Sequence, residues 1–367
     1  MSPVPRPSDA TVSVAVLGAG GTIAPAIVRD LAESDEVASM LLLDLDGSRA
    51  AAVAAAYGGA TADAHAADAR DASALAAQLE GVDILITAAS YRINLDAMQA
   101  CLTAGCHYLD LGGLYWMTGR QLALDEDFQR AGLLALLGIG SSPGKTNVMA
   151  ARAVRELGSV ESIDIAAAGR DPRPAGGFSP PYAVRTLIDE LTLAPVVLRD
   201  GRPVEIEPLA TGGTLDYGPP IGEVETIYTL HSELATFGES FGCREASFRL
   251  SLAPALLSRL RELVSATPEE LDRVAREAVP PSAETVSVHL VIAREAQRTV
   301  LVSAVSRPHF GFGGSVVSTA APAAAAVRLL ARGQLKATGA RPPEHCIEPE
   351  LLFAELESRG CSFTYSG

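Results

Sequence analysis

A glycine-rich turn directly after the first apolar strand constrains the fold of this chain more than any other feature. Residues 12–17 read VSVAVL, and Gly18-Ala19-Gly20-Gly21 follows them and opens a helix. This arrangement places backbone N–H groups and the positive end of a helix where a dinucleotide diphosphate binds in α/β sheets. Gly18 permits the tight turn, and Gly20 lets a diphosphate approach the backbone without a Cβ in the way. Ile23 occupies the third glycine position of such motifs, so we expect small neighbours to provide the close packing of strand and helix.

The rest of the first 140 residues alternates short apolar runs with Ala-rich stretches, which is typical of a parallel sheet covered by helices. The runs predict strands at 12–17, 39–45, 61–66, 82–88, 106–109 and 133–137. The intervening stretches predict helices at 23–34, 48–57, 71–79, 93–104 and 119–130. Six β units therefore precede residue 140, and the pattern predicts an α/β fold with a Rossmann-type doubly wound parallel sheet.

The pattern changes after residue 146, where segments rich in charge, Pro and Gly begin. The alternating stretches at 223–230 and 286–305 suit an antiparallel sheet, and they predict a second, mixed α+β domain. Ala-rich helical sequence returns at 320–332 and again near 349–358. We expect a Rossmann domain at 1–148, a substrate and dimerisation domain at 149–310, and C-terminal helices at 311–367 that pack back on the first domain.

The length and charge of the chain limit its partners. A chain of 367 residues is about two and a half times a typical domain, which favours two domains. The 44 acidic residues outnumber the 29 basic ones, and the net charge of −15 repels nucleic acid and anionic membrane surfaces. The first seven residues read as a short arm rather than a signal sequence. His309–Val327, the longest uncharged stretch, is too weakly apolar to span a bilayer. We expect a cytoplasmic protein.

The cysteine and histidine patterns suggest neither disulfides nor a metal. The five cysteines form no CxxC pair, and the six histidines include no HExxH motif. We expect reduced, buried thiols and no bound metal. Gly144-Lys145-Thr146 resembles the end of an ATP-binding P-loop, but Ile139 stands where that motif requires its first glycine, which argues against ATP.

An acidic residue after the second predicted strand strengthens the dinucleotide interpretation. Asp44 lies 24 residues beyond Gly20, where a carboxylate accepts hydrogen bonds from adenosine ribose hydroxyls. Asp44 would repel a 2′-phosphate, which favours NAD, although Arg49 is close enough in sequence to neutralise a phosphate and leaves NADP possible. Asp46 has an alternative role as a helix-capping residue. The predicted cofactor residues are Gly18, Gly20, Gly21, Thr22, Ile23, Asp44, Asp68, Ala88, Ala89 and Asn147.

The order and spacing of several further segments resemble the saccharopine dehydrogenase family, which includes lysine 6-dehydrogenase and carboxynorspermidine synthase. The segments are the glycine turn, 83–89, 104–110, 124–132, 143–147, 343–349 and 356–360. The stretches 182–207 and 229–236 most resemble the lysine 6-dehydrogenase branch. The resemblance implies a Rossmann domain, a mixed substrate domain, and hydride transfer between a nicotinamide cofactor and a C–N bond of an amino acid or imine.

Two other functions remain open on the sequence. One is a homospermidine synthase-like transferase that oxidises and rereduces a bound NAD within one cycle. The other is a non-catalytic nucleotide-binding protein with the same fold. We also predict a homodimer, because exposed sheet edges in such second domains often pair across a two-fold axis.

Candidate catalytic residues come from the predicted border between the domains and from the second domain. His231 is the candidate base, since an imidazole exchanges protons near neutral pH, and Glu233 lies two residues away on the same face of a strand. Lys145 is the candidate for a proton path or for contact with a substrate carboxylate. The predicted substrate-binding residues are Arg92, Tyr182, Arg185 and Glu233, with the arginines suited to bind a carboxylate through two hydrogen bonds.

Overall fold

The computed structural model describes residues 11–174 and 176–367, so the predicted N-terminal arm lies outside the described residues. The strands are β1 Val12–Leu17, β2 Val37–Asp44, β3 Ala62–Ala66, β4 Ile84–Thr87, β5 His107–Asp110, β6 Leu134–Leu136, β7 Ser162–Arg170, β8 Val196–Arg199, β9 Arg202–Glu205, β10 Thr211–Asp216, β11 Glu223–Tyr228, β12 Glu245–Ser251, β13 Val286–Glu295, β14 Arg298–Ser306, β15 Gly339–Arg341 and β16 Cys361–Ser366.

The α-helices alternate with these strands in the first domain and cluster in the second. They are α1 Ala24–Leu31, α2 Gly47–Tyr57, α3 Ala72–Gln78, α4 Asn94–Ala104, α5 Leu114–Leu122, α6 Asp125–Ala131, α7 Lys145–Leu157, α8 Val184–Thr192, α9 Phe237–Phe241, α10 Pro254–Leu263, α11 Pro268–Glu277, α12 Gly314–Ala331 and α13 Pro349–Glu357.

The first sheet is parallel and runs β3-β2-β1-β4-β5-β6-β15. The order of its first six strands is that of a dinucleotide-binding Rossmann sheet. The central strands are apolar because helices cover both faces, and Leu42 and Leu43 of β2 are fully buried. The predicted fold class is confirmed.

The predicted helix at 119–130 is instead two helices, α5 and α6. Three acidic residues, 125–127, stand in the first turn of α6, where negative charge is favourable next to the positive helix end. The seventh strand, β15, is absent from the prediction because three residues carry too short a pattern to recognise.

The second sheet runs β10-β11-β12-β7-β13-β14-β16, with β8 on β12 and β9 on β8. Its pairs are antiparallel except for β7 with β12, which is parallel. Three helices of this domain, α8, α10 and α11, pack on one another around their own small apolar core, which includes Leu187, Leu260 and Val274. These helices form a cover at one side of the sheet.

The C-terminal segment joins the two domains. Helix α12 packs on α1 of the first domain and also on β13 and β14 of the second. It is long and apolar enough to cross a membrane by length and composition, but most of it is buried inside the fold. Residues 361–366, which we expected among the C-terminal helices on the first domain, instead form β16 and pair with β14 in the second sheet.

Candidate active site

A cleft of about 1080 Å³ runs between the two domains. One wall consists of the loops after the parallel strands of the first sheet. The opposite wall consists of the inner face of the second sheet and the cover of α8, α10 and α11. The cleft therefore lies at the carboxyl edge of the parallel sheet, where α/β proteins bind their ligands.

The glycine turn forms the floor at one end of this cleft. Gly18 has a φ of 80°, and a Cβ at this position would lie 2.7 Å from the backbone nitrogen of Ala89. A side chain here would therefore collide with the loop after β4, as well as strain the backbone. Ala24 and Ala26, the first small residues of α1, are buried. They provide the close packing that a third glycine supplies in other motifs.

Asp44 holds the glycine turn through its carboxylate. Its Oδ2 accepts a hydrogen bond from the Gly20 nitrogen at 2.9 Å, and its Oδ1 accepts one from the Asp46 nitrogen at 3.0 Å. Arg49 lies on the other side of the turn and donates to the Gly20 carbonyl. Asp44 and Arg49 both line the cleft, so a carboxylate and a guanidinium face the part of the cleft next to the glycine turn. Asp46 caps α2 through Ser48, which is the alternative role considered for it.

Most of the predicted cofactor residues lie along the cleft wall. The lining includes Gly18, Gly21, Thr22, Ile23, Asp44, Asp68, Ala88 and Ala89. Gly20 is not part of the lining, because Arg49 lies against it. Arg70 binds Asp68 through two of its nitrogens and holds the pKa of that carboxyl at about 2. The glycine turn, the acidic residue after β2 and the small residues after β4 fit the adenosine and diphosphate parts of a nicotinamide dinucleotide.

Asn147 and Lys145 do not line the cleft, which corrects both predictions. The Asn147 side chain accepts from the Gly144 nitrogen at 2.8 Å and donates to Glu344 at 2.7 Å. It therefore caps α7 and anchors the C-terminal segment. Lys145 is fully buried, and its Nζ donates to Ser306 and Ser318. Residues 141–143, just before them, do line the cleft, and the helix that follows turns its first side chains into the core.

A buried carboxylate holds the loops that form this edge of the cleft. Asp110, at the end of β5, accepts hydrogen bonds from the Gly112 and Gly138 nitrogens at 2.9 and 2.7 Å. Tyr108 and Gln121 also donate to it. Burial raises the pKa of Asp110, and these donors oppose that rise. The network fixes the loops after β5 and β6 relative to each other.

His231 lines the cleft from the segment after β11 and pairs with Glu233 behind it. Its Nδ1 lies 3.3 Å from Glu233 Oε2, and its ring stacks on Phe248 with the centroids 3.4 Å apart. Thr146 donates to the other oxygen of Glu233 at 2.8 Å. Burial alone lowers the pKa of His231, but Glu233 and, less strongly, Glu190 raise it, and the net pKa lies above its ordinary value. Glu233 thus orients His231 and does not line the cleft, although we predicted a substrate contact for it.

Glu190 is a buried carboxylate in the cleft wall that the sequence analysis missed. It is 4% exposed, on α8, and accepts a hydrogen bond from the Tyr182 hydroxyl at 2.5 Å. Burial raises the pKa of Glu190 to about 7, although His231 and Tyr182 act to lower it. Tyr182 lines the cleft as predicted. The signal that points to Glu190 is an acidic residue on the buried side of an amphipathic helix, among the buried apolar residues Leu187, Ile188 and Leu191.

His289 is the second missed residue, and it faces the cleft from β13. It is 4% exposed, and its Nδ1 is buried with no hydrogen-bond partner among residues 11–174 and 176–367. Burial, and then the positive charges of Lys145 and His231, place its pKa well below the ordinary value. The sequence signal that could have identified His289 is a histidine on the inner face of a buried strand.

The two arginines predicted to bind a substrate carboxylate are already paired. Arg92 donates to Asp189 at 2.7 Å and does not line the cleft. Arg185 lines the cleft, but its guanidinium pairs with Asp272 at 2.7 Å. Arg170 lines the cleft at the end of β7 and donates to the Pro220 carbonyl. Within the described ranges it forms no ion pair, and its charge is available to an anionic group.

The described part of the chain contains no group of three or more His, Cys, Asp or Glu residues that could hold a metal ion. The five cysteines are free thiols.

Comparisons with known proteins agree with this architecture. Residues 14–136 match a family model described as the saccharopine dehydrogenase NADP binding domain. A carboxyaminopropylagmatine dehydrogenase from Synechocystis sp. is 28% identical over 274 residues, which cover 71% of this chain and 67% of the relative. A carboxynorspermidine synthase from Vibrio alginolyticus is 31% identical over 134 residues, or 32% of each chain.

Two solved structures share the fold over almost the whole chain. The apo saccharopine dehydrogenase (L-Glu forming) of Saccharomyces cerevisiae has a TM-score of 0.70 at 14% identity and covers 97% of this chain and 100% of its own. The homospermidine synthase of Legionella pneumophila, solved in complex with NAD, has a TM-score of 0.71 at 13% identity and covers 98% and 93%.

Proposed function

We propose that the chain is a member of the saccharopine dehydrogenase family, whose NADP-binding domain model matches residues 14–136, and that it is an NAD(P)-dependent oxidoreductase acting on the C–N bond of an amino acid or an amino-acid-derived amine. The observation that carries the proposal is one continuous cleft. It leads from a dinucleotide-type glycine turn to a buried group of titratable side chains. A cofactor and an amine bound in this cleft would lie next to each other.

The cofactor would supply hydride chemistry, accepting a hydride from the carbon of an amine or donating one to an imine. Gly18, Gly21 and Asp44 would hold it through the diphosphate and the adenosine ribose. Asp44 favours NAD, and Arg49 is the residue that would accommodate a 2′-phosphate. The family model carries NADP in its description. The balance between Asp44 and Arg49 would therefore determine which of the two cofactors the protein prefers.

The charges in the second domain suit a substrate with both a cationic and an anionic group. The buried Glu190 carboxyl lines this part of the cleft and can accept a hydrogen bond from a substrate amine. Arg170 replaces Arg185 and Arg92 as the proposed partner of a substrate carboxylate. Carboxylated polyamine derivatives carry both kinds of group, and two relatives are named for substrates or products of this type. A lysine-like amino acid has the same two groups and stays a candidate.

The test is a screen of cofactor turnover at 340 nm with purified protein. We expect lysine, agmatine-derived or polyamine-derived carboxylates to reduce NAD or NADP, or the corresponding imines to oxidise the reduced cofactor. Arg170→Gln should raise KM for carboxylated substrates at least tenfold with kcat less affected, since it removes a charged hydrogen-bond partner. Arg199→Gln, at an exposed position of β8 away from the cleft, is the matched control. Absence of turnover with every amine, amino acid and imine would contradict the proposal.

A homospermidine synthase-like transferase is the second candidate, because a homospermidine synthase shares the fold over 98% of this chain. Such an enzyme would keep its NAD through the cycle. Tight retention of NAD, with product formed and no net NADH released, would favour it over the dehydrogenase. A protein that binds NAD without turning over any substrate would instead be a nucleotide-binding protein on this fold.

The proposal includes a homodimer in the cytoplasm. Strand β10 is an outer strand of the second sheet and offers an edge for pairing with a second copy. The free cysteines are those expected in a reducing compartment. Light scattering of the purified chain at micromolar concentration tests the dimer, for which a monomeric mass would be the contrary result.

A further inference from the structure

Two histidines face the same cleft from different elements and stand in opposite electrostatic surroundings. His231 has a carboxylate directly behind it, with Glu233 Oε2 3.3 Å from its Nδ1. His289 has no carboxylate on its buried side, and its Nδ1 has no hydrogen-bond partner in the described part of the chain. A cationic side chain instead acts electrostatically on His289.

That cation is Lys145, the buried lysine of α7. Its Nζ donates to Ser306 Oγ at 3.1 Å and to Ser318 Oγ at 2.7 Å, and no carboxylate pairs with it within the described ranges. In the pairing of β13 with β14, His289 lies opposite Ala304, and Ser306 is two residues further along β14. Side chains two residues apart project from the same face of a sheet. His289 and the hydroxyl that binds Lys145 are therefore diagonal neighbours on the inner face.

We propose that His289 is the proton-accepting group of the cleft, and that Lys145, held by Ser306 and Ser318, is a positioning residue for the His289 imidazole. The catalytic part rests on the proposed function, since it assigns the proton acceptor for an amine substrate. The arrangement of charges does not depend on the identity of that substrate.

The surroundings of His289 contain two positive or titratable groups that oppose its protonation. Burial lowers the pKa of His289 most strongly, and the positive charges of Lys145 on α7 and of His231 after β11 lower it further. The neighbouring strands present Ala167 of β7 and Ala304 of β14 directly opposite it. Helix α12 contributes the uncharged Ser318 hydroxyl beside Lys145. On β16 the nearest titratable group to Lys145 is the Cys361 thiol, which opposes the lowering of the lysine pKa by burial.

A lysine and a histidine in such proximity do not both carry a proton readily. Burial lowers the pKa of both groups, but an unperturbed lysine starts from a pKa of about 10.4 and an unperturbed histidine from about 6.5, so the lysine is the more readily protonated of the two. His231 differs because Glu233 and Glu190 favour its imidazolium form. When the surroundings push the pKa values of two groups apart, the group with the higher pKa suits the acid role and the group with the lower pKa suits the base role.

The resulting proton step is simple. An amine substrate enters as its ammonium form, and the neutral His289 accepts one N–H proton at Nε2. The N–H bond of the substrate breaks, the Nε2–H bond forms, and the amine keeps its lone pair. Nε2 is the acceptor because Nδ1 is buried inside the fold. The imidazolium that forms near Lys145 and His231 is disfavoured, so it returns its proton readily to solvent.

The test is an NMR titration of protein labelled with ¹⁵N at histidine, with the two rings assigned through His289→Asn and His231→Asn. In the unaltered protein we expect His289 to titrate below the ordinary histidine pKa and His231 above it. In Lys145→Met we expect the His289 pKa to rise by at least about one unit. Lys336→Met removes an exposed lysine outside the cleft and should leave both rings unchanged.

An unchanged His289 pKa in folded Lys145→Met would overturn the positioning role. If Lys145→Met does not fold, the order of the two titrations in the unaltered protein decides, and His289 titrating at or above His231 overturns the inference. In kinetics, Lys145→Met should move the acidic limb of the kcat/KM profile to higher pH, which a purely structural role would not do. If the protein turns over a substrate but His289 titrates at or above His231, this inference is refuted and the proposed function stands. If His289 titrates below His231 but no substrate is turned over, the proposed function is refuted, and with it the catalytic role of His289.

Discussion

Neutralising Asp44 should change the preference of the protein between NAD and NADP. The Asp44 carboxylate accepts hydrogen bonds from the Gly20 and Asp46 nitrogens at 2.9 and 3.0 Å, so it is fixed at the edge of the glycine turn. Asp44→Asn keeps the size and one acceptor oxygen but removes the charge. NADP should then bind more tightly relative to NAD, because its 2′-phosphate no longer meets a negative charge.

The size of the change follows from the charges at this position. Two unit charges about 4 Å apart interact by roughly 1 to 4 kcal/mol near a protein surface, and about 1.4 kcal/mol corresponds to tenfold in affinity. A Cβ on Gly20 would lie 3.1 Å from Asp44 Oδ2 and 3.0 Å from Arg49 Nε, so the guanidinium lies beside the carboxylate and offsets part of its field. We therefore expect the lower part of the range, a relative gain for NADP of about tenfold to a hundredfold.

The assay is isothermal titration calorimetry with each cofactor at one fixed ionic strength. Asp46→Asn is the matched control, because Asp46 is exposed, caps α2 through Ser48 and does not line the cleft. It should change the two affinities equally. If Asp44→Asn leaves the ratio of the NAD and NADP affinities within twofold, or if Asp46→Asn changes that ratio as much, the placement of the adenosine ribose at Asp44 is refuted.

Three further changes test other parts of the account. Gly18→Ala should weaken dinucleotide binding at least tenfold by calorimetry, because the residue has a φ of 80° and a Cβ would lie 2.7 Å from the loop after β4; unaltered affinity would contradict this. Tyr182→Phe removes a hydrogen bond that lowers the Glu190 pKa, now about 7. A carboxyl whose pKa is raised by folding reduces the free energy of unfolding as the pH rises from its unfolded-state pKa to its folded-state pKa. In the unaltered protein urea denaturation should show this decrease between about pH 4.5 and 7. In Tyr182→Phe the decrease should continue above pH 7. Arg328→Met removes a buried guanidinium from Asp30 and Glu355, which keep Arg359 and Arg332 as partners, and it should cost roughly 1.5 to 3 kcal/mol of unfolding free energy. Arg332→Met removes a more exposed side chain and should cost about 1 kcal/mol or less; equal losses would contradict the greater contribution of the buried ion pairs.

The parts of the molecule that the sequence predicted well are those encoded by neighbouring residues. The strands of the parallel sheet follow from short apolar runs such as 40–43, and the glycine turn and Asp44 follow from their positions at the ends of strands. These features depend on local pattern and on one general rule about where ligands bind in such sheets.

The parts that it did not predict depend on pairing between distant segments. His289 reaches the cleft because β13 lies between β7 and β14. Glu190 reaches it because α8 packs with α10 and α11 to form part of the cleft wall. Lys145 was misplaced for a rotational reason. It directly follows a loop that lines the cleft, but successive side chains on a helix turn by about 100°, and this turn directs Lys145 into the core. Sequence distance from a site therefore does not fix the direction of a side chain.

A crystal structure of the protein grown with NAD or NADP would test the central claim most directly. The account predicts a dinucleotide with its diphosphate over 18–21, its adenosine ribose at Asp44, and its nicotinamide on the side of the cleft that holds His231 and His289. A dinucleotide bound elsewhere, or bound in the cleft in the reverse direction, would contradict the account.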